Sequence, residues 1–359
     1  MKKTDLFLVV MAGGSGTRFW PKSTAGKPKQ FLSFGKADSG SQRHLSLLEA
    51  TLERFDHLVL PTQRLIVTTE LLKSSVAAQA AGVTVLAEPQ GRNTAPCIYW
   101  AAREVAAKNP QGVMLVMPSD HYIANQEKFV STVMIAARWA AERDDLVALG
   151  VTPTRPETGY GYLKIAQHDK VQSSLTCYPV EQFIEKPNLQ KAREFLESGN
   201  YLWNGGMFLW RAEVILAAFD RYMPEMKKAW DDSAGRVEVA YPKMTATSID
   251  YGVMEKASQV VAFPLECGWD DLGSWTSLES LADSLGTRHD VGVVMNGEVV
   301  QVESQGNIVD APGKLIALLG VKDMVVVQQG EVLLVADKSR VQDVRLVVEK
   351  VKKTHPHLI

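Results

Sequence analysis

The sequence predicts an α/β fold: a mixed, mostly parallel sheet with helices on both faces, followed by a small β-rich domain. Two observations carry this. In the first half, short apolar runs alternate with stretches of helical periodicity. From about residue 290 the chain changes to short β-like runs broken by glycine. Strand–helix alternation implies parallel strands, because each helix carries the chain back over the sheet. Ligands in such sheets sit outside the carboxyl ends of the strands.

Taken in order, Leu6–Met11, Leu65–Thr69, Val83–Ala87, Val113–Met117 and Leu146–Gly150 read as buried strands. They are nearly continuous apolar runs, as strands covered on both faces must be. Ser46–Arg54, Leu71–Ala81, Ala95–Lys108 and Lys128–Arg143 read as the intervening helices. Residues 1–285 are expected to form the main domain and 286–359 the small one. In the latter, Gly297, Gly306, Gly313, Gly320 and Gly330 fall at irregular intervals, which argues against a regular hexapeptide coil. Ser339-Arg-Val-Gln342 has the form of a capping box, and Val341, Val344, Val348 and Val351 make an apolar stripe behind it.

Composition narrows the class. A chain of 359 residues that is 46% apolar with a formal charge of −2 is a folded protein with no electrostatic footprint for nucleic acid. Its three cysteines, Cys97, Cys177 and Cys267, are widely spaced and lack metal-ligand pairing, so they read as reduced thiols of a cytoplasmic protein. The apolar run after Lys2 and Lys3 is short and ends in a glycine-rich loop, so it reads as a strand and not a secretory signal. No stretch reaches membrane-spanning length, so no membrane partner is expected.

The first strand ends in Gly13, Gly14 and Gly16, followed by Arg18, Lys22, Lys27 and Lys29. Up to residue 37 there are seven basic residues and one acid, Asp5. Glycines let backbone N–H groups approach a phosphate chain, and the cations neutralise it. A P-loop pattern is absent, and the dinucleotide-binding pattern would place its third glycine at Phe19. Pro21 and Pro28 keep the segment from running on as a helix. The loop is therefore a polyanion site of another kind, on the same rim as Ser119 and Asp120, which also fall at the carboxyl end of a strand.

Ala12-Gly-Gly-Ser-Gly-Thr-Arg-Phe-Trp-Pro21 with Pro28-Lys-Gln-Phe-Leu32 resembles the signature of sugar-1-phosphate nucleotidyltransferases, and among them the guanylyltransferases acting on mannose 1-phosphate. Further matches follow in that family's order: Glu88–Pro96, Pro118–His121, Gly159–Tyr162, Glu185–Pro187, Trp203–Phe208, Ser248–Lys256 and Gly268–Trp275. The resemblance spans nearly the whole chain. It implies a Rossmann-like nucleotidyltransferase fold with a C-terminal β domain of left-handed β-helix type, and a possible homodimer. Longer members append a phosphomannose isomerase domain, which this sequence does not reach.

The implied reaction joins GTP and mannose 1-phosphate to give GDP-mannose and pyrophosphate, with Mg²⁺ as cofactor. A phosphate monoester, with a second pKa near ~6, is already largely dianionic at pH 7 and needs no general base. What remains is to align two anions and stabilise charge on phosphoryl oxygens. The resemblance makes Arg18 and Lys29 the electrostatic catalysts and Asp120 and Asp271 the metal ligands, with Asp270 a hydrogen-bonding neighbour. Ala12, Gly13, Gly14, Gly16, Thr17 and Ser119 would take the nucleotide phosphates. Glu88, Gly91 and Asn93 would take the nucleoside; a carboxylate accepts both the N1–H and N2–H₂ of guanine, and a structural role for Glu88 is the rival. Gly161, Glu185, Lys186 and Asn204 would hold the sugar phosphate. Relatives often carry arginine where Thr24 stands, so Lys22 or Lys27 would have to substitute. Three other readings remain open: another sugar or base, a glycosyltransferase using Asp270 and Asp271, and a non-catalytic nucleotide-sugar-binding subunit.

Overall fold

The computed structural model describes residues 5–14, 16–34, 44–166 and 177–359. Ser15 of the glycine-rich loop, together with Lys2, Lys3 and Lys36 of the basic cluster, lies outside them. The chain forms two compact units: Met1–Gly13, Leu52–Ser119 and Asn125–Trp269 in the first, and Gly14–Thr51, Asp120–Ala124 and Asp270–Ile359 in the second. Compactness thus groups the chain differently from a single cut at 285/286, which stays a proposal. Of the places where the chain changes unit, Gly13–Gly14, Ser119–Asp120 and Trp269–Asp270 fall inside motifs singled out above, and Thr51–Leu52 and Ala124–Asn125 do not.

The first unit is built on a nine-stranded sheet. Thr84–Glu88, Arg64–Thr69, Leu6–Met11 and Val113–Pro118 lie side by side and parallel, with Val9 opposite both Leu65 and Val116. This is the half that the strand–helix alternation foretold. Tyr201–Arg211 then runs antiparallel between Val113–Pro118 and Leu146–Val151, which makes the sheet mixed. Val260–Leu265, Tyr178–Glu185 and Gly161–Ile165 complete it.

Both faces of the parallel half are buried. Phe7, Val9, Val67, Met114 and Val116 share a core with the helix Thr94–Lys108, while the alternate residues Leu6, Leu8, Val10 and Leu115 are equally buried on the other face. A second helix, Gln126–Glu142, packs against Val113–Pro118, Leu146–Val151, Tyr201–Arg211 and Val260–Leu265. Trp203, Phe208 and Trp210 are core residues.

In the second unit, Gly292–Val302 pairs in parallel with Asn307–Leu319, and that strand in parallel with Met324–Gln329. Val332–Asp337 closes the sheet antiparallel. Val293 faces Ile308 but Val299 faces Ile316, because the register shifts between Val294 and Glu298. Gly297 sits at the shift with φ 97°, where a Cβ would lie 2.4 Å from the Ala311 carbonyl oxygen. The passes form a short irregular coil, not a hexapeptide repeat.

The expected capping box at Ser339–Gln342 does not form. Lys338–Asp343 is a 3₁₀ turn capped from outside by Asp337, whose Oδ1 accepts from Ser339 N–H at 2.8 Å. The α-helix begins later and spans Val344–Thr354. Asp337 supplies an ionised acceptor at the turn's start, so Ser339 is drawn inside the turn. The apolar stripe holds: Val341, Val344 and Val348 are buried and Val351 partly so.

Candidate active site

In the second unit, Gly16 (φ 52°) leads into a 3₁₀ turn, Thr17–Phe19. Phe19 and Trp20 are buried, which leaves Arg18 presented to solvent. A Cβ on Gly16 would lie 2.5 Å from the backbone nitrogen of Lys29, so only glycine lets the two segments meet here. Pro28 is extended and a second 3₁₀ turn, Lys29–Phe31, follows.

Lys29 is 8% exposed, rare for lysine unless it is paired. Its ammonium sits 2.8 Å from Asp120 Oδ2 and 3.2 Å from the Leu272 carbonyl, and it also donates to the Asp271 carbonyl. Burial alone would raise the pKa of Asp120. The Lys29 charge, with His121 and hydrogen bonding, outweighs it and holds the carboxyl below its ordinary value.

The second carboxylate arrives on a strained turn. Leu272 has φ 48°, a region that costs a branched residue about 1–3 kcal/mol. It is held there by its fully buried side chain and by Asp270 Oδ1, which accepts from Leu272 N–H at 2.8 Å. Asp270 is itself buried and takes a further hydrogen bond from Ser280 Oγ at 3.3 Å, so it builds the turn, as expected of a neighbour. The Asp271 carboxylate lies over Gly273, where a Cβ would stand 3.1 Å from Oδ1. Gly16, Thr17, Arg18, Lys29, Asp120 and Gly273 are among the residues lining a cavity of about 280 Å³.

Among the described residues, no group of three or more His, Cys, Asp or Glu side chains is disposed to hold a metal. Asp120 meets Lys29 through its carboxylate and Asp271 meets it through its backbone carbonyl, and each residue carries a hard carboxylate as donor. That set suits Mg²⁺, which usually binds one or two carboxylates plus substrate phosphates. Of the two lysines offered for the family arginine, Lys27 is exposed and Lys22 is paired with Asp310 at 2.6 Å.

In the first unit, Ala12 N–H donates to Val67, the Ala12 carbonyl accepts from Thr68 Oγ1 at 2.9 Å, and Ser119 N–H donates to Met11. A Cβ on Gly13 would stand 2.9 Å from Glu88 Oε2. Glu88 is buried, accepts from the Tyr241 hydroxyl, and has its pKa raised because burial outweighs that bond. Arg92 anchors the following loop to the Met244 carbonyl at 2.7 Å. Asn93, at φ 67°, accepts from Thr94 N–H and starts the helix Thr94–Lys108; space around Gly91 is open.

The sugar-phosphate candidates also gather in the first unit. Gly161 pairs across strands with Glu185, and a Cβ there would fall 2.5 Å from Glu185 Oε2. Lys186, at φ 45°, turns its ammonium to Glu185 Oε1 at 2.7 Å. Asn204 donates to Asp250 Oδ1 at 2.7 Å and accepts from Gly206 N–H. Asn188 caps the helix Leu189–Ser198.

Tyr241, Asp250 and the Leu272 carbonyl were not foreseen. Asp250 and Leu272 fall inside noted motifs, whereas Tyr241 left no signal. Asp250 opens a π-helical turn, Asp250–Met254, a feature frequent at functional sites.

Residues 8–288 match the nucleotidyl transferase family, and residues 297–351 match the MannoseP isomerase/GMP-like beta-helix domain. The mannose-1-phosphate guanylyltransferase of Escherichia coli K12 is 36% identical over 374 residues, covering 99% of this chain and 76% of that protein. The chain belongs to the mannose-1-phosphate guanylyltransferase family of nucleotidyltransferases. The Pseudomonas aeruginosa alginate biosynthesis protein AlgA is 35% identical over 366 residues, covering 95% of this chain and 71% of its own. A solved Thermus thermophilus structure, described as a mannose-1-phosphate geranyltransferase, is similar with a TM-score of 0.86 at 34% identity, covering 97% of this chain and all of that one. Family membership and the nucleotidyltransferase-plus-β fold therefore stand as the motifs implied. No helix among the described residues is long and apolar enough to cross a membrane, and all three cysteines are buried free thiols.

Proposed function

We propose that this protein transfers the GMP group of GTP to α-D-mannose 1-phosphate, giving GDP-mannose and pyrophosphate in the cytoplasm. The guanylyltransferase relatives support the substrates. The observation that carries the mechanism is the Lys29 ammonium, buried beside Asp120 and the Asp271–Leu272 carbonyls in the cavity that Arg18 lines.

A phosphate oxygen of the sugar attacks the α-phosphorus. A new P–O bond forms as the bond from that phosphorus to the bridging oxygen breaks, and pyrophosphate leaves with the electron pair. Arg18 grips the departing phosphates bidentately, and the backbone N–H groups of Gly13, Gly14, Gly16 and Thr17, with the Ser119 hydroxyl, take the remaining phosphoryl oxygens, while Ala12, whose N–H is held by Val67, positions the loop. Lys29 faces the α-phosphoryl oxygens, where charge shifts in the transition state. Asp120 and Asp271 would hold Mg²⁺, which when bound neutralises phosphate charge as a Lewis acid.

Glu88 accepts from the guanine N1–H and N2–H₂ edge, with Gly91 and Asn93 shaping the loop around the nucleoside. Adenine, with an acceptor at N1, would leave the buried carboxylate opposed by a lone pair. Glu185 and Asn204 face sugar hydroxyls, Gly161 lets the sugar approach the backbone, and Lys186 pairs with the sugar phosphate.

Pyrophosphate release is the test, measured with mannose 1-phosphate, Mg²⁺ and each of GTP, ATP, UTP and dTTP. Release with GTP well above the others, and GDP-mannose formed in equal amount, supports the reading. Release without nucleotide-sugar formation, or preference for another base, contradicts it.

A further inference from the structure

The turn that presents Arg18 is fastened to the C-terminal part of the chain by three kinds of contact. Phe19 and Trp20 lie in one apolar core with Val325 and Leu334 of the β coil and Val341, Val344 and Val348 of the last turn and helix. The Trp20 indole N–H donates to the Leu358 carbonyl at 3.0 Å, and the Trp20 carbonyl accepts from Trp275 Nε1 at 3.4 Å. Then Lys22, whose N–H closes back on the Phe19 carbonyl at 2.9 Å, sends its ammonium to Asp310 Oδ2 at 2.6 Å.

That ion pair is unusual. The side chains are only 17% and 5% exposed, and Asp310 stands within the strand Asn307–Leu319, its other oxygen accepting from Asn296 Nδ2 at 2.9 Å. Buried pairs add little stability over apolar residues of the same shape, because desolvation offsets the attraction. What a largely buried pair does supply, when its carboxylate is held on both oxygens as here, is fixed geometry. Here it fixes a segment four residues beyond Arg18, whose guanidinium must meet phosphate oxygens to within fractions of an ångström.

We infer that the C-terminal coil and helix are the seat of the phosphate-gripping turn, with Lys22 and Asp310 as its positioning pair. Lys22 then acts on the reaction through Arg18 and is not a substitute for the arginine that relatives carry at the position of Thr24. This rests on the nucleotidyltransferase reading given above.

Lys22→Met, Lys22→Arg, Asp310→Asn and the Lys22→Met/Asp310→Asn double variant are compared by pyrophosphate release, with circular dichroism as the check on folding. Lys22→Met should lower kcat at least tenfold while KM for mannose 1-phosphate stays within twofold. Lys22→Arg should return kcat to within threefold of the parent. Asp310→Asn should lower kcat at least threefold although it removes no positive charge, and the double variant should be no slower than Lys22→Met. If Lys22→Met does not fold, Asp310→Asn and Lys22→Arg carry the test alone.

Parental kcat in Asp310→Asn overturns the inference, because a lysine acting directly on phosphate does not need its carboxylate. So does parental kcat in Lys22→Met. A parent enzyme that makes no GDP-mannose sinks the functional reading instead, so the two failures are distinct.

Discussion

Replacing Lys29 with methionine keeps the length and apolar stem of the side chain and removes one charge. The lost charge lies 2.8 Å from Asp120 and 3.2 Å from the Leu272 carbonyl, in a site 8% exposed. Two routes give the size of the effect. Loss of one preorganised donor to a developing oxyanion costs about 3–4 kcal/mol, or roughly 10²–10³ in kcat. A unit charge about 4 Å from a phosphoryl oxygen, at an effective dielectric constant of about 20, contributes about 4 kcal/mol. Both routes place kcat for GDP-mannose formation at least a hundredfold below the parent.

The same substitution strips Asp120 of its cation, so stability should fall by about 1–3 kcal/mol, the cost of leaving a partly buried acceptor without its donor. The sign with pH follows. Asp120 is held below its ordinary value of 3.8, so its contribution is complete above that pH and is lost as pH falls through the folded-state value. Urea unfolding at neutral pH and at pH values below 4 should therefore show a gap between parent and variant that closes in acid. A folded Lys29→Met enzyme with kcat within tenfold of the parent would refute the reasoning.

Four further outcomes are expected. Glu88→Gln should lose most of the preference for GTP over inosine triphosphate, which lacks the N2 amino group. It should also be at least as stable as the parent at pH 7 by thermal melting: the raised pKa of Glu88 means its burial is best tolerated at low pH and opposes folding as pH rises past 4.5. Gly16→Ala, forced to φ 52° with its Cβ 2.5 Å from Lys29 N, should lower both melting temperature and kcat, the latter at least tenfold. Asp271→Asn should raise the Mg²⁺ concentration for half-maximal activity with the fold intact, whereas Asp270→Ala should lower the melting temperature by freeing the Leu272 turn. Gly161→Ala, whose Cβ would fall 2.5 Å from Glu185 Oε2, should raise KM for mannose 1-phosphate several-fold with little change in KM for GTP.

Much of the frame was legible because it rests on local rules. Continuous apolar runs gave the parallel strands, and the glycine loop followed by basic residues is what the phosphate-site proposal rests on. The family resemblance alone separated Asp270 from Asp271, and the structure shows Asp270 buried and accepting from Leu272 N–H. The antiparallel Tyr201–Arg211 strand has no such signature, because its place depends on partners about 55 to 100 residues away in sequence. Tyr241 reaches Glu88 across 153 residues, and Lys22 finds Asp310 only through the folded coil. The Leu272 carbonyl is a backbone group, and its role follows from a φ of 48° that residue identity does not reveal. The capping box expected at Ser339 does not form, because Asp337 competes two positions earlier and caps the 3₁₀ turn instead.

The central claim is that Arg18, Lys29, Asp120 and Asp271 form the reaction centre. A crystal structure with a non-hydrolysable GTP analogue and Mg²⁺ tests it most directly. It should place the ion between the Asp120 and Asp271 carboxylates, with the triphosphate against Arg18 and Lys29. A triphosphate bound away from the Thr17–Phe19 turn, or an ion held by neither aspartate, would contradict the account.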